Sequence, residues 1–280
     1  MDRAKEIRRL LRLTPRQLRE KAKGRLVIKR NLDALHRHAA ELMANEIAAN
    51  NRAKRPTRLI VPVGPTGQYP CLVNIVRHRG LSLRNVHLFF MDEYCDAKGR
   101  PVPASHPLSF KGEMESLFFS RLPAELAPPK KQVVFPSRRN LDTLADRIAA
   151  DGGIDTCYGG IGIHGHLAFN EPEPGVAAMG PRLVRLNAFT LTINAVRSHV
   201  GGNLEGHPSL AVSLGMAQIL AARRIVLLCR NGCEFDWANT VLRLALFGTP
   251  GDDYPVTHIR RKDYLIVTDL DTAAVPKTIL

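Results

Sequence analysis

The stretch Tyr158-Gly-Gly-Ile-Gly-Ile-His-Gly-His-Leu-Ala-Phe-Asn-Glu-Pro172 decides how this chain of 280 residues folds. It continues the run from Ile154, which is typical of the end of a buried strand, and a helical pattern over residues 141–151 comes before it. Glycine-rich backbone that follows a strand and leads to His166 and Glu171 is typical of a catalytic loop at the carboxyl edge of a parallel sheet. The alternative is a glycine-rich turn whose histidines only face water.

A second segment, Leu59-Ile-Val-Pro-Val-Gly-Pro-Thr-Gly-Gln-Tyr-Pro70, has the pattern of a strand, a turn and a helix. The apolar run ends at Gly64, and we predict that Pro70 begins the helix, because proline fits the first helical position. Gly64, Thr66 and Gly67 would then precede a helix N-terminus, where free N–H groups and the helix dipole favour an anion such as phosphate. Taken alone, such a motif is more often only a turn.

A third segment, Val86-His-Leu-Phe-Phe-Met-Asp-Glu-Tyr94, is an apolar strand that ends on two carboxylates. A carboxylate in a dehydrated pocket gains basicity and can take a proton from a carbon next to a carbonyl. The alternative is that one acid caps the following turn. We expect that capping role for Glu93 and the chemical role for Asp92.

The rest of the chain alternates between strand and helix patterns. Further strand patterns cover residues 132–135, 156–161, 225–230 and 264–268, and helical patterns cover residues 32–49, 70–79, 110–121, 216–222 and 235–247. This alternation predicts an α/β fold, a Rossmann-like doubly wound, mostly parallel sheet with helices on both faces. Residues 182–207 combine polar residues with Gly201-Gly202, and we expect a mobile lid there.

The net charge of +14 is concentrated at the start of the chain. Residues 1–30 contain twelve Lys or Arg and three acids, and we predict a basic helical N-terminal extension before a single domain of residues 31–280. A basic arm can bind nucleic acid or an anionic membrane. Because it has no interleaved aromatics and no nucleic-acid module, we expect it to pack on the domain or on another subunit, without a nucleic-acid partner.

Composition favours a cytoplasmic enzyme. No apolar run approaches the ~20 residues of a membrane span, and no leader resembles a signal peptide. The five cysteines are scattered without a Cys-x-x-Cys pair, which predicts reduced thiols.

The three segments together resemble the glucosamine-6-phosphate deaminase (isomerase) family, part of a larger group that includes the 6-phosphogluconolactonases. The phosphate loop, the Met-Asp-Glu-Tyr segment and the Gly-His-Leu-Ala-Phe-Asn-Glu-Pro loop match in order, and His106-Pro-Leu-Ser-Phe110 resembles the family's His-Pro-x-Ser-Tyr stretch. The similarity covers roughly residues 31–270. It favours the deaminase branch, since the lactonases lack the Phe-Asn-Glu-Pro ending.

The resemblance implies a role for each matching residue. Asp92 would move a proton between C2 and C1 of the opened sugar, His166 would assist ring opening, and Glu171 would orient or recharge that histidine. It also implies a sugar-phosphate substrate, a homo-oligomer, and chemistry without metal or organic cofactor, because the carbonyl exposed by ring opening acidifies the neighbouring C–H. The predicted substrate-binding residues are Gly64, Thr66, Gly67, Gly165 and Arg197.

Two positions depart from the family pattern. His164 stands where the family has an aspartate that would stabilise an imidazolium; we keep it among the catalytic candidates, with a metal site formed with His166 as the alternative. Glu234 stands where the family has a phosphate-binding lysine and would repel a phosphate. Either another arginine, such as Arg197 or Arg182, supplies the positive charge, or the substrate is not a typical sugar phosphate.

The sequence therefore predicts a deaminase of an amino-sugar phosphate that opens the ring and isomerises aldose to ketose. Two alternatives remain at this point: a related isomerase or lactonase-like hydrolase of a different sugar or sugar phosphate, or a catalytically inactive sugar-sensing protein.

Overall fold

A fully parallel sheet of seven strands forms the centre of the protein. The computed structural model describes residues 2–233 and 236–280. Its strands are β1 (Leu26–Lys29), β2 (Thr57–Val61), β3 (Val86–Phe90), β4 (Asp92–Cys95), β5 (Val133–Val134), β6 (Thr156–Gly160), β7 (Arg182–Arg185), β8 (Leu210–Ser213), β9 (Arg224–Leu228) and β10 (Tyr264–Asp269). The order across the parallel sheet is β1-β10-β9-β6-β2-β3-β5.

Helices cover both faces of this sheet, as the sequence predicts. They are α1 (Arg3–Leu11), α2 (Pro15–Ala22), α3 (Leu32–Arg52), α4 (Gln68–Arg79), α5 (Phe110–Leu117), α6 (Leu141–Ala150), α7 (Ala188–Arg197), α8 (Met216–Ala221), α9 (Ala238–Phe247) and α10 (Leu270–Ala273). Helices α3, α4 and α5 pack on one face, and α2, α6, α8 and α9 pack on the other.

Alternation of side chains along the strands explains why two helical layers are needed. In β2, Leu59 and Val61 belong to the core under α3 and α4, whereas Ile60 belongs to the core on the opposite face. All three are fully buried. A strand that is apolar on both faces is stable only when both faces are covered, which is the usual condition of a parallel sheet.

Some element boundaries differ from the sequence prediction. Helix α4 begins at Gln68, so Pro70 is its third residue and the prediction that it begins the helix is wrong. Proline is tolerated there because the first four N–H groups of a helix have no intrahelical partner. Helix α5 ends at Leu117, since Phe118 leaves helical backbone geometry before a short 3₁₀ turn.

A small antiparallel sheet, β4-β8-β7, lies beside the main sheet and was not predicted. The chain passes from β3 to β4 through Met91 alone, and Asp92 then pairs with Ser213. The N–H of Leu214 also donates to the carbonyl of Met91 at 2.7 Å. The two sheets therefore fix the backbone at Asp92. The segment predicted as a lid contributes β7 and helix α7.

The basic N-terminal extension packs on the domain. Leu10 and Leu18 are buried, and the fully buried Arg243 of α9 donates to the carbonyl of Leu13 at 2.8 Å. Strand β1 follows the two helices and completes one edge of the main sheet by pairing with β10. Over the described ranges, no helix has the length and apolar character that crossing a membrane requires.

Candidate active site

Four neighbouring strands deliver their loops to one cavity. The chain order reverses between β2 and β6, and a crevice forms at such a switch point beyond the carboxyl ends of the strands. The cavity here has a volume of about 460 Å³. Arg230 after β9, His166 after β6, Thr66 after β2 and Asp92 after β3 all line it. The three segments singled out in the sequence therefore line one cavity, together with a fourth segment that carries Arg230.

Asp92 is the buried acid of this cavity. Its side chain is 7 % exposed. Burial raises its pKa to about 8, and the neighbouring Glu93 contributes to the same shift. A carboxyl group of such basicity that faces a cavity is suited to accept a proton from carbon.

The role of Glu93 is structural. Its carboxylate accepts the N–H groups of Phe110 at 2.9 Å and Lys111 at 2.8 Å, and the hydroxyl of Ser109 at 3.1 Å. These donors belong to the start of α5, where backbone N–H groups lack intrahelical partners. Glu93 therefore caps the start of α5, and not the turn directly after its own strand as the sequence predicted.

His166 is held in the cavity wall as a neutral imidazole. Its ring lies across Gly162, where a Cβ would come within 1.9 Å of the ring Nε2. Burial, with a smaller effect of His164, lowers the pKa of His166 to about 3. Its Nδ1 is buried without a hydrogen-bond partner. At neutral pH this imidazole can therefore both accept and donate a proton.

Three other predicted residues support the loop and do not line the cavity. The ring of His164 contacts Phe189, with centroids 5.1 Å apart, and its centroid lies 6.4 Å from that of His166. Glu171 accepts the N–H of Asn187 at 2.8 Å and so anchors the start of α7; no hydrogen bond to His166 is formed within the described residues. The carbonyl of Gly165 accepts the N–H of Val256 at 2.7 Å.

A metal site was the alternative role considered for His164 and His166. Within residues 2–233 and 236–280, no group of three or more His, Cys, Asp or Glu side chains is arranged to bind a metal ion.

The predicted phosphate loop, which follows the strand next to the one that leads to Asp92, forms another part of the cavity wall. Gly64 and Thr66 line the cavity, and Gly67 is the residue before α4. A Cβ on Gly67 would lie 2.1 Å from Nδ1 of His36, so only glycine allows this contact.

The N-terminus of α4 has no side-chain cap. Pro70 has no N–H, and the N–H of Tyr69 donates to the carbonyl of Thr66 at 3.0 Å. The N–H of Gln68 is therefore the one at this helix start that is available to an anion.

Two arginines give this end of the cavity a positive charge. Arg197 lies with its guanidinium carbon 3.4 Å from the centre of the Trp237 ring and forms an ion pair with Asp236. Arg230 lines the same cavity and donates to its neighbour's carbonyl at 3.4 Å; among the described residues it forms no ion pair. Burial, with a smaller effect of the Arg230 charge, lowers the pKa of His36 to about 4.

Of the other two positions discussed for phosphate binding, only Arg182 lies within the described residues. Arg182 donates to Asn170 at 2.7 Å and pairs with Glu173, and it does not line the cavity. Glu234 lies outside the described residues. Sequence reasoning missed Arg230, although its position after a strand of the predicted sheet was a usable signal.

The remaining wall is aromatic, with one further acid. Tyr94, Phe110 and Phe169 pack together, with ring centroids between 4.8 and 6.3 Å apart. Glu113, on the first turn of α5, lines the cavity and lies within hydrogen-bonding reach of the Thr66 hydroxyl. No sequence pattern predicted a role for Glu113.

Known proteins resemble this chain in sequence and in fold. No protein-family profile matches it. It is 31% identical over 218 residues to the glucosamine-6-phosphate deaminase of Phocaeicola vulgatus, covering 74% of this chain and 78% of that protein. It is 31% identical over 211 residues to glucosamine-6-phosphate deaminase 2 of Homo sapiens, covering 73% of each.

Solved structures show the same fold. A monomeric glucosamine-6-phosphate deaminase has a TM-score of 0.78 at 22% identity, over 90% of this chain and 100% of that one. A 6-phosphogluconolactonase from Trypanosoma cruzi has a TM-score of 0.64 at 18% identity, over 89% and 96%.

Proposed function

The chain belongs to the glucosamine-6-phosphate deaminase family, and from this premise we propose that it converts glucosamine 6-phosphate, or a close amino-sugar phosphate, to a ketose phosphate and ammonia. One observation carries the proposal. Asp92 and His166 face the same cavity as the Thr66 loop and two arginines, so that a base, a proton carrier and an anion site surround one small molecule.

The phosphate binds at the end of the cavity formed by the Thr66 loop. The N–H of Gln68 at the start of α4 and the guanidinium of Arg230 donate to its oxygens. Arg197, oriented by Asp236 and Trp237, adds a second positive charge. These contacts leave the anomeric end of the sugar to face the two proton-transfer groups.

His166 then opens the pyranose ring. The neutral imidazole takes the proton of the anomeric hydroxyl, the bond between C1 and the ring oxygen breaks, and the ring oxygen receives the proton. The imidazole ends uncharged, as it began, and its lowered pKa keeps the base form available. The product of this step is an open-chain amino aldehyde.

Asp92 performs the isomerisation. As a carboxylate it takes the proton from C2, which the new aldehyde at C1 has acidified, and it returns a proton to C1. The nitrogen at C2 becomes an imine, and water then replaces it, releasing ammonia and leaving the ketone. One water is consumed for each ammonia released, so atoms and charge balance.

Incubation of the purified protein with glucosamine 6-phosphate tests the proposal. We expect ammonia and ketose phosphate in equal amounts. Parallel reactions with unphosphorylated glucosamine and with 6-phosphogluconolactone separate the alternatives. Hydrolysis of the lactone without ammonia release, or sugar binding with no turnover of any amino-sugar phosphate, would contradict it.

The predicted homo-oligomer and the predicted cytoplasmic location stay predictions. Light scattering coupled to gel filtration measures the oligomeric state, since a molecular mass near 31 kDa would identify a monomer.

A further inference from the structure

Glu113 is an acidic side chain that lines the same cavity as the predicted phosphate loop. It projects from the first turn of α5 into the cavity, at the end where the Thr66 loop begins α4. Its carboxyl lies within hydrogen-bonding reach of the Thr66 hydroxyl. A carboxylate and the substrate's phosphate would therefore compete for one hydroxyl at one end of the cavity.

Arg197 and Arg230 line the same cavity as Glu113, but neither forms an ion pair with its carboxyl. Thr66 faces it from the loop after β2, and Tyr69 faces it from α4 with its hydroxyl already donated to the carbonyl of Pro62. Glu93 of β4 adds a second negative charge. Within the described residues no ion pair reaches the Glu113 carboxyl. Burial and Glu93 raise its pKa, whereas the Thr66 hydroxyl lowers it.

We propose that Glu113 takes up one proton when phosphate binds. In the complex Glu113 is then a neutral carboxylic acid, and in this form it selects the anion that the site accepts. This inference rests on the proposed function, since it assigns a partner to the same phosphate site. The neutral acid donates its O–H to a phosphate oxygen, and the Thr66 hydroxyl is released to donate a second hydrogen bond. A charged carboxylate at this position would repel the dianion.

Sulfate is the probe that isolates this effect, because it is a tetrahedral dianion that does not titrate between pH 6 and 9. Calorimetry of sulfate binding in two buffers of different ionisation enthalpy counts the protons taken up. We expect a positive uptake that approaches one proton as pH rises above the pKa of free Glu113. In that range the dissociation constant of the wild-type protein should weaken about tenfold per pH unit.

Glu113→Gln keeps the size of the side chain and removes the titration. Above the pKa of free Glu113 this variant should take up about one proton fewer than the wild type, and its affinity for sulfate should depend less on pH. Any uptake that remains belongs to Asp92, which lines the same cavity and has a pKa raised to about 8. Glu115→Gln, an exposed acid on the same helix, is the matched control and should behave as the wild type.

The outcomes separate this inference from the proposed function. Sulfate that binds the wild type without proton uptake overturns the role of Glu113 and leaves the phosphate site in place. Equal proton uptake by Glu113→Gln and wild type also overturns it. A wild-type protein that binds neither sulfate nor inorganic phosphate overturns the phosphate site and the inference together. If Glu113→Gln does not fold, the same measurement on Asp92→Asn decides the question, because proton uptake by that protein cannot come from Asp92.

Discussion

Substitution of Arg230 by glutamine should weaken the binding of phosphorylated substrate with little effect on chemistry. Arg230 lines the cavity at the end of the Thr66 loop, and among the described residues it forms no ion pair. Its removal therefore leaves no buried acid without a partner. A hydrogen bond to a charged group contributes about 1.5–3 kcal/mol. At about 1.4 kcal/mol per factor of ten, KM should rise about 10- to 150-fold.

The measurement is the rate of ammonia release against the concentration of glucosamine 6-phosphate. Because the phosphate contact is the same in the ground state and the transition state, kcat should stay within about threefold of wild type. Arg223→Gln is the matched control: this arginine lies at the other end of β9, is 69% exposed, and should leave KM unchanged. A KM that rises less than about threefold in Arg230→Gln, or a kcat that falls as much as KM rises, would refute the reasoning.

Three further results are expected. The value of kcat should fall about tenfold per pH unit below about pH 8, because Asp92 must be ionised in the complex to act as a base and its pKa is raised to about 8; a break near pH 4 in the rate profile would contradict this. Gly162→Ala should reduce kcat at least about 100-fold without changing the circular dichroism spectrum, since the added Cβ would displace His166; near-normal turnover would show that the ring position is unimportant. Arg243→Leu should lower the free energy of unfolding in urea by at least about 3 kcal/mol, because the carbonyls of Leu13 and Ala273 lose a buried donor; a loss below 1 kcal/mol would count against that role.

The layered fold follows from patterns that are local in sequence. Apolar runs such as Leu59–Val61 alternate with amphipathic helices, and that alternation is sufficient to predict a parallel sheet covered on both faces. The same reasoning places strand-end residues at one edge of the sheet. For this reason Asp92, His166 and Thr66 could be predicted to lie near one another without coordinates.

The remaining features depend on pairings between distant segments. The four-residue strand β4 pairs with β8, more than 100 residues later, and nothing in its own short sequence specifies that partner. Glu171 follows the glycine-rich loop closely, but its carboxylate is directed to the start of α7 by the path of the intervening chain. Glu113 lines the cavity because Glu93 of β4 holds the start of α5 beside it.

Exchange of the C2 hydrogen with solvent tests the central claim most directly. Glucosamine 6-phosphate incubated in deuterium oxide with the wild-type protein should incorporate deuterium from solvent during turnover, as measured by proton NMR. Asp92→Asn should abolish that incorporation while the affinity for the sugar phosphate changes less than about threefold. Deuterium incorporation that continues at the wild-type rate in Asp92→Asn would contradict the assignment of Asp92 as the base.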